Sequence, residues 1–191
     1  METALIEYQD SLEVMNSIII NMSITASSIP EEADTRRQSL QMDIADMHAA
    51  LDEADEALEM YETIMQEDRE GREDPKEETA LDGVMLHNMG KIRAQRGQRM
   101  QALVDLTKAA EIKERFAGES SPEVGKTLDA LGAVHAVTGD KAKALECFQR
   151  SLLIARMHSE AGDTDSNVML ALRNISVLKG KDVPKWGSDD N

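Results

Sequence analysis

The chain repeats itself. Residues 131–152 read LGAVHAVTGDKAKALECFQRSL, and moving back 42 residues gives MGKIRAQRGQRMQALVDLTKAA. Gly90 then falls on Gly132, Gly97 on Gly139, Ala102 and Leu103 on Ala144 and Leu145, and Leu106 on Phe148. A shift of 87 gives IADMHAALDEADEALEMYETIM, with Ala45 on Gly132, His48 on His135, Ala57 and Leu58 on Ala144 and Leu145, and Tyr61 on Phe148. A period of 42–45 residues restricts a chain to architectures in which one small unit stacks on copies of itself, because each unit buries its apolar face only against a neighbour.

Apolar residues within each copy recur at helical spacing, and the punctuation divides each copy in two. Pro30, Pro75 and Pro122 each precede a Glu within two residues, the pattern of proline in a first helical turn with acid near its positive end. Asp74 and Glu77 have the form of a capping box, and Ser121 before Pro122 is a good N-cap. A central turn is expected at Asp52, Gly97 and Gly139, followed by an antiparallel second helix, and the segments REGRED, AGESS and EAGDTD read as connecting loops. Helices joined this tightly approach closely only over small side chains, so Gly132 is expected to meet Ala144 near their crossing.

Partial copies flank the three full ones. ALIEY at residues 4–8 repeats the small-Leu-x-x-aromatic pattern of ALEMY and ALECF, and LRNISVLKG aligns with LDALGAVHA, placing Leu172 on Leu128. The expected organisation is an N-terminal half-repeat or capping helix over 1–28 and a solenoid over 29–180. Its repeats fall at about 30–72, 75–119 and 122–162, with a half-repeat at 165–180 and a disordered tail over 181–191. The fold class is all-α, a right-handed α-α superhelix of antiparallel helix pairs. Composition agrees: 41% of residues are apolar but only 3% aromatic, so twelve Met with Leu, Ile and Ala fill the core, which suits helix on helix.

Charge is unevenly spread. Residues 1–80 carry 5 basic against 22 acidic side chains, a net of −17, whereas 81–191 carry 16 against 15, a net of +1. Nucleic acid is thereby an unsuitable partner for the front half, because phosphates require a basic stripe. No uninterrupted apolar stretch approaches the roughly 20 residues of a membrane span, and the N-terminus lacks the basic start of an export signal. The single Cys147 excludes an internal disulfide and points to a reducing compartment, hence a cytoplasmic protein.

These residues resemble the tetratricopeptide repeat family: Leu131-Gly132, His135 where the family often has Tyr, Gly139, Ala144, Phe148 and Ser151, and in the preceding copy Met89-Gly90, Gly97, Ala102, Leu106 and Ala109. The long period and SPEVGKTLDALGAVHAVTGDKAKALECFQRSLLIA are similar to the kinesin light chain type. The likeness weakens in the first unit, at His48, Asp52 and Ile64. It implies a concave face, lined by the first helix of each pair, that holds an extended peptide. Matched residue by residue, that face would carry His87, Asn88 and Lys91, then Lys126 and Asp129, then Arg173 and Asn174. Asn88 and Asn174 match the family's Asn, and Ala130 breaks the pattern.

Catalysis has little support. Gly-x-Ser-x-Gly, a phosphate-cradling Gly loop and His-Glu-x-x-His are all missing from the sequence. His48 and His135 share one repeat position, where packing and capping are the expected roles. His87 has no second ligand at metal spacing, and His158 suits the negative end of a second helix. Cys147, beside Phe148, reads as a packed thiol, and Met60, Met65, Met89 and Met100 read as core filling. The expectation is a non-catalytic scaffold without cofactor or metal, binding a protein or peptide partner, an acidic one on charge grounds. The alternative is a structural spacer or a fragment of a longer helical-repeat protein, self-associating through its half-repeat ends.

Overall fold

The structure, a computed structural model, describes residues 3–7, 9–11, 13–14, 17, 31–74 and 76–180, with side chains of the first long helix described from residue 35 onward. Residues 3–7, 9–11, 13–14 and 17 are helical, and Leu5 is buried. Pro30, Pro75 and the tail 181–191 lie outside the described residues. Seven long helices follow within residues 31–180: α1 (Glu31–Ala50), α2 (Ala54–Gly71), α3 (Ala80–Gln95), α4 (Arg99–Ala117), α5 (Pro122–Thr138), α6 (Lys141–His158) and α7 (Ser166–Leu178), with a 3-10 turn at Gly162–Thr164. The described residues hold no strand, and the helices pack as sequential antiparallel pairs.

The chain forms two compact units, Met1–Glu77 and Glu78–Asn191. In the first, α1 and α2 close over Ile44, Ala45, Ala57, Tyr61 and Ile64. The Tyr61 hydroxyl donates to the Asp46 carboxylate at 2.6 Å, so the phenol is buried without losing its hydrogen bond. Arg37 pairs with Glu67 at 2.9 Å across the two helices, and Arg72 pairs with Asp68.

In the second unit each helix packs on the next, and α3 also touches α5 as α5 touches α7, which sets the first helices of successive pairs side by side. Its core is built from Ala102, Leu106, Val124, Leu128, Leu131, Val134, Cys147 and Ile154. Cys147 is a packed thiol, its pKa raised to about 11 by burial.

The turn inside each pair is the same in all three copies. Asp52, Gly97 and Gly139 all take positive φ, at 67°, 76° and 90°. In each case the following N–H reaches back five residues at 2.9 Å, Glu53 to His48, Gln98 to Arg93 and Asp140 to His135. That is the left-handed helix stop which glycine adopts without a Cβ penalty and Asp tolerates better than most. His48 and His135 therefore contribute backbone carbonyls to the stop, and His48 Nδ1 lies 2.7 Å from Glu53 Oε2.

Two local expectations are corrected and a third contact is sharpened. The capping box of α3 is Thr79 with Asp82: the Thr79 N–H donates to the Asp82 carboxylate at 2.8 Å and the Asp82 N–H to the Thr79 hydroxyl at 3.5 Å. Asp74 instead accepts from the Lys76 N–H at 2.9 Å and from the Glu77 N–H through its carbonyl, closing a turn before the helix. Met100 is 71% exposed, one step off the stripe that Ala102 and Leu106 bury. The atoms nearest to Gly132 belong to Phe148 and Cys147; a Cβ there would lie 2.8 Å from the Phe148 ring and 3.1 Å from the Cys147 Cβ. Ser121 and Pro122 do start α5, with the Val124 N–H donating to the Ser121 hydroxyl at 3.3 Å.

A rigid ring at that distance cannot retreat as a flexible chain would. Gly132→Val is therefore expected to lower unfolding free energy by about 1–3 kcal/mol, the usual cost of overpacking. Adding Phe148→Leu should recover part of the loss, and urea titration of the two variants checks both.

Candidate functional site

The face in question runs across α3, α5 and α7. Lys91 on α3, Lys126 on α5 and Arg173 on α7 are exposed, while His87, Asn88, Asp129 and Asn174 are half-buried. The structure brings His87, Lys91 and Lys126 together, around two residues that the sequence reading passed over.

Those two are Lys113 and Thr127. Lys113 is on α4, only 8% exposed, and its stem crosses Gly83 of α3, where a Cβ would come within 3.3 Å of the lysine Cγ. Its ammonium donates to Thr127 Oγ1 on α5 at 3.1 Å. The same hydroxyl oxygen lies 3.0 Å from His87 Nδ1 on α3 and 2.8 Å from the Glu123 carbonyl. With the hydroxyl proton donated to the Glu123 carbonyl, the oxygen accepts from both Lys113 and a His87 Nδ1–H. One signal was present in the sequence: Lys113 continues the buried stripe of Ala102, Leu106 and Ala109 at helical spacing.

Electrostatics follow from this packing. Burial, then the charges of Lys113, Lys91 and Lys126, hold the His87 imidazole down at about 3, so it is a neutral hydrogen-bonding group at pH 7. Burial pulls the Lys113 ammonium down to about 8; Glu123 opposes this, and Lys126 and Lys91 add to it. Three lysines from three helices thus converge on one histidine. Away from them, Arg93 pairs with the buried Asp105 at 2.5 Å, and Glu78 takes Lys108 and Arg115 at 2.6 and 2.9 Å.

Asp129 is different. Burial raises its carboxyl to about 6, a hydrogen bond with the Ser151 hydroxyl lowers it in part, and Oδ1 has no hydrogen-bond partner. It lines a cleft between α5, α6 and the start of α7. Among the described residues no three His, Cys, Asp or Glu side chains are grouped as metal ligands would be, and no helix is long and apolar enough to cross a membrane.

Two successive helix pairs with glycine at their crossings and the same left-handed stop invite comparison with known repeat proteins, and residues 81–157 match the tetratricopeptide repeat family. Residues 81–157 carry tetratricopeptide repeats. Such repeats are modules of protein–protein interaction. Among solved structures, BtubC (BKLC) from P. vanneervenii superposes with a TM-score of 0.65 at 18% identity, covering 94% of this chain and 83% of that one. A candidate kinesin light chain of Podospora anserina, with nearly identical TPR-like repeats, superposes with a TM-score of 0.61 at 14% identity, covering 91% and 78%. At these identities the likeness is one of fold. No curated protein matches the chain.

A neutral buried histidine makes folding sensitive to acid. Its folded pKa, about 3, lies below the ordinary 6.5. The unfolded chain therefore binds the extra proton between those values, and stability is lost as pH falls through that window, by up to about 1.4 kcal/mol per unit. Urea titrations at pH 7 and pH 5 should show a larger loss in wild type than in His87→Gln, which keeps a hydrogen bond to Thr127 but does not titrate.

Proposed function

We propose that this chain is a non-catalytic scaffold that holds an extended segment of a partner protein along the first-helix face of its repeats, with acidic segments preferred. The observation that supports the reading is the convergence of Lys91, Lys113 and Lys126 on His87 in a chain whose net charge is −16. Lys113 is hydrogen-bonded inside, whereas Lys91 and Lys126 are exposed and present their charges to solvent. An acidic segment is then steered to this face and repelled by the strongly acidic residues 1–80. Arg173 would extend the cationic track on α7, and Asn88 and Asn174 would hold the peptide backbone, contributing orientation rather than sequence choice. His87 would act as a neutral hydrogen-bonding group. The single, buried Cys147 suits a reducing compartment such as the cytoplasm.

The second reading, a spacer that associates through its ends, draws on Leu170 and Val177, which α7 leaves exposed. Sedimentation at rising concentration tests it: a monomer throughout removes it.

Titrating an acidic peptide pool against wild type and Lys91→Glu/Arg173→Glu at two salt concentrations tests the first. Wild-type affinity should fall as the Debye length shrinks below about 8–10 Å, and the double reversal should slow association by about tenfold or more. Equal affinity in all four cases removes the electrostatic face and leaves the repeat scaffold alone.

A further inference from the structure

The two pairs α3–α4 and α5–α6 are related by the 42-residue shift, and the buried lysine of the first has no counterpart in the second. Gly83 becomes Gly125, Ile112 becomes Ile154, His87 becomes Asp129, and Lys113 becomes Ala155. The backbone relation is kept: a Cβ on Gly83 would lie 2.9 Å from Ile112 Cγ2, and one on Gly125 would lie 3.2 Å from Ile154 Cγ2. In the first pair the lysine stem lies over the glycine and its ammonium sits between Thr127 and the neighbourhood of His87. In the second the same place is open, and it is the cleft lined by Gly125, Asp129, Ser151, Ile154, Ala155 and Asn167. On α7 the buried Ala171 stands where α5 has the buried Thr127, when Leu172 is set on Leu128, so the hydroxyl acceptor of the first pair has no counterpart in the second.

We propose that this cleft receives a lysine side chain of a partner protein, its methylene stem over Gly125 and Ala155 and its ammonium on the Asp129 carboxylate. The chain itself shows the mode of binding, because Lys113 already fills the equivalent place one repeat earlier. Apolar walls of Gly125, Ile154 and Ala155 suit a hydrocarbon stem. At the polar end the half-buried Asp129 keeps an inaccessible Oδ1 with no hydrogen-bond partner, and such an oxygen gains from an arriving cation that donates to it. The other charged or titratable groups lining the cleft are Lys126 on α5, His158 on α6 and Asp165 at the start of α7. His158 Nε2 lies 2.7 Å from the Ser120 carbonyl, and one oxygen of Asp165, Oδ1, accepts the Asn167 and Val168 N–H groups.

The source of the lysine rests on the scaffold reading, but the site is tested without the partner. The probe is Nα-acetyl-lysine N-methylamide, titrated into the isotope-labelled chain beside its norleucine counterpart, with amide shifts followed by NMR. Shift changes should concentrate at Gly125, Asp129 and Ala155, with the lysine compound binding at least about tenfold more tightly than the norleucine one, and Asp129→Asn should remove that preference. Equal binding of the two compounds, shifts elsewhere, or a preference retained in Asp129→Asn overturns the proposal. Ala155→Lys supplies a second, ligand-free reading: the introduced side chain should block the probe and lower the midpoint of the Asp129 carboxyl titration. A midpoint unmoved in a folded Ala155→Lys chain also overturns it. Loss of acidic-peptide binding with the probe result intact would instead count against the electrostatic face alone.

Discussion

Helix crosses helix over glycine, and that close approach sets the spacing on which the other features of the second unit depend. Gly90 lies under Leu106, Gly132 under Phe148, and Gly83 and Gly125 under Ile112 and Ile154. Each pair thus has two glycine crossings seven residues apart on its first helix, two turns along one face. With the two helices drawn together at both points, a side chain from the second helix can reach across the first toward the next repeat. Lys113 does so and reaches Thr127. A bulkier crossing would hold α3 and α4 apart, and the Lys113–Thr127–His87 arrangement would lose its distances.

The same backbone is used for opposite electrostatic ends. In α3–α4 a lysine is buried against a neutral histidine and a hydroxyl, leaving a cationic surface above. In α5–α6 an alanine leaves the space open and a carboxylate faces it. Repeat proteins diversify in this way because each unit's stability depends mainly on its own pair and its neighbours, so a charge can be exchanged at one copy without disturbing the others. A peptide lying along both repeats would meet cations at one and a carboxylate at the next.

Much of the fold was legible because its signals are local. The left-handed stop at Asp52, Gly97 and Gly139 needs a residue type that tolerates positive φ, and only a few do. Ser121-Pro122 marks a helix start through groups that belong to the chain alone. The start of α3 was misplaced because Asp74-x-x-Glu77 and Thr79-x-x-Asp82 have the same local form. Packing decided between them by burying Asp82, whose carboxylate is bound by the Thr79 N–H. Met100 shows a similar limit: a stripe read from spacing is uncertain by one position, and one position is about 100° around a helix.

The candidate site was legible only in outline. Period and helical spacing set the first helices, and the likeness to the repeat family picked out His87, Lys91, Lys126 and Arg173 on them, because residues three and four apart share a face whatever surrounds them. What those residues are chemically depended on the tertiary structure. His87 is neutral because burial and three lysines from three helices act on it together; Asp129 holds its proton to about pH 6 because α5 and its neighbours withdraw it from water. Neither follows from spacing along one helix, since desolvation and charge act through space between segments distant in the chain. Sequence by itself determined the repeat, its turns and the order of its helices; the packing of helix on helix decided which side chains are charged, which are buried and where a cleft is left open.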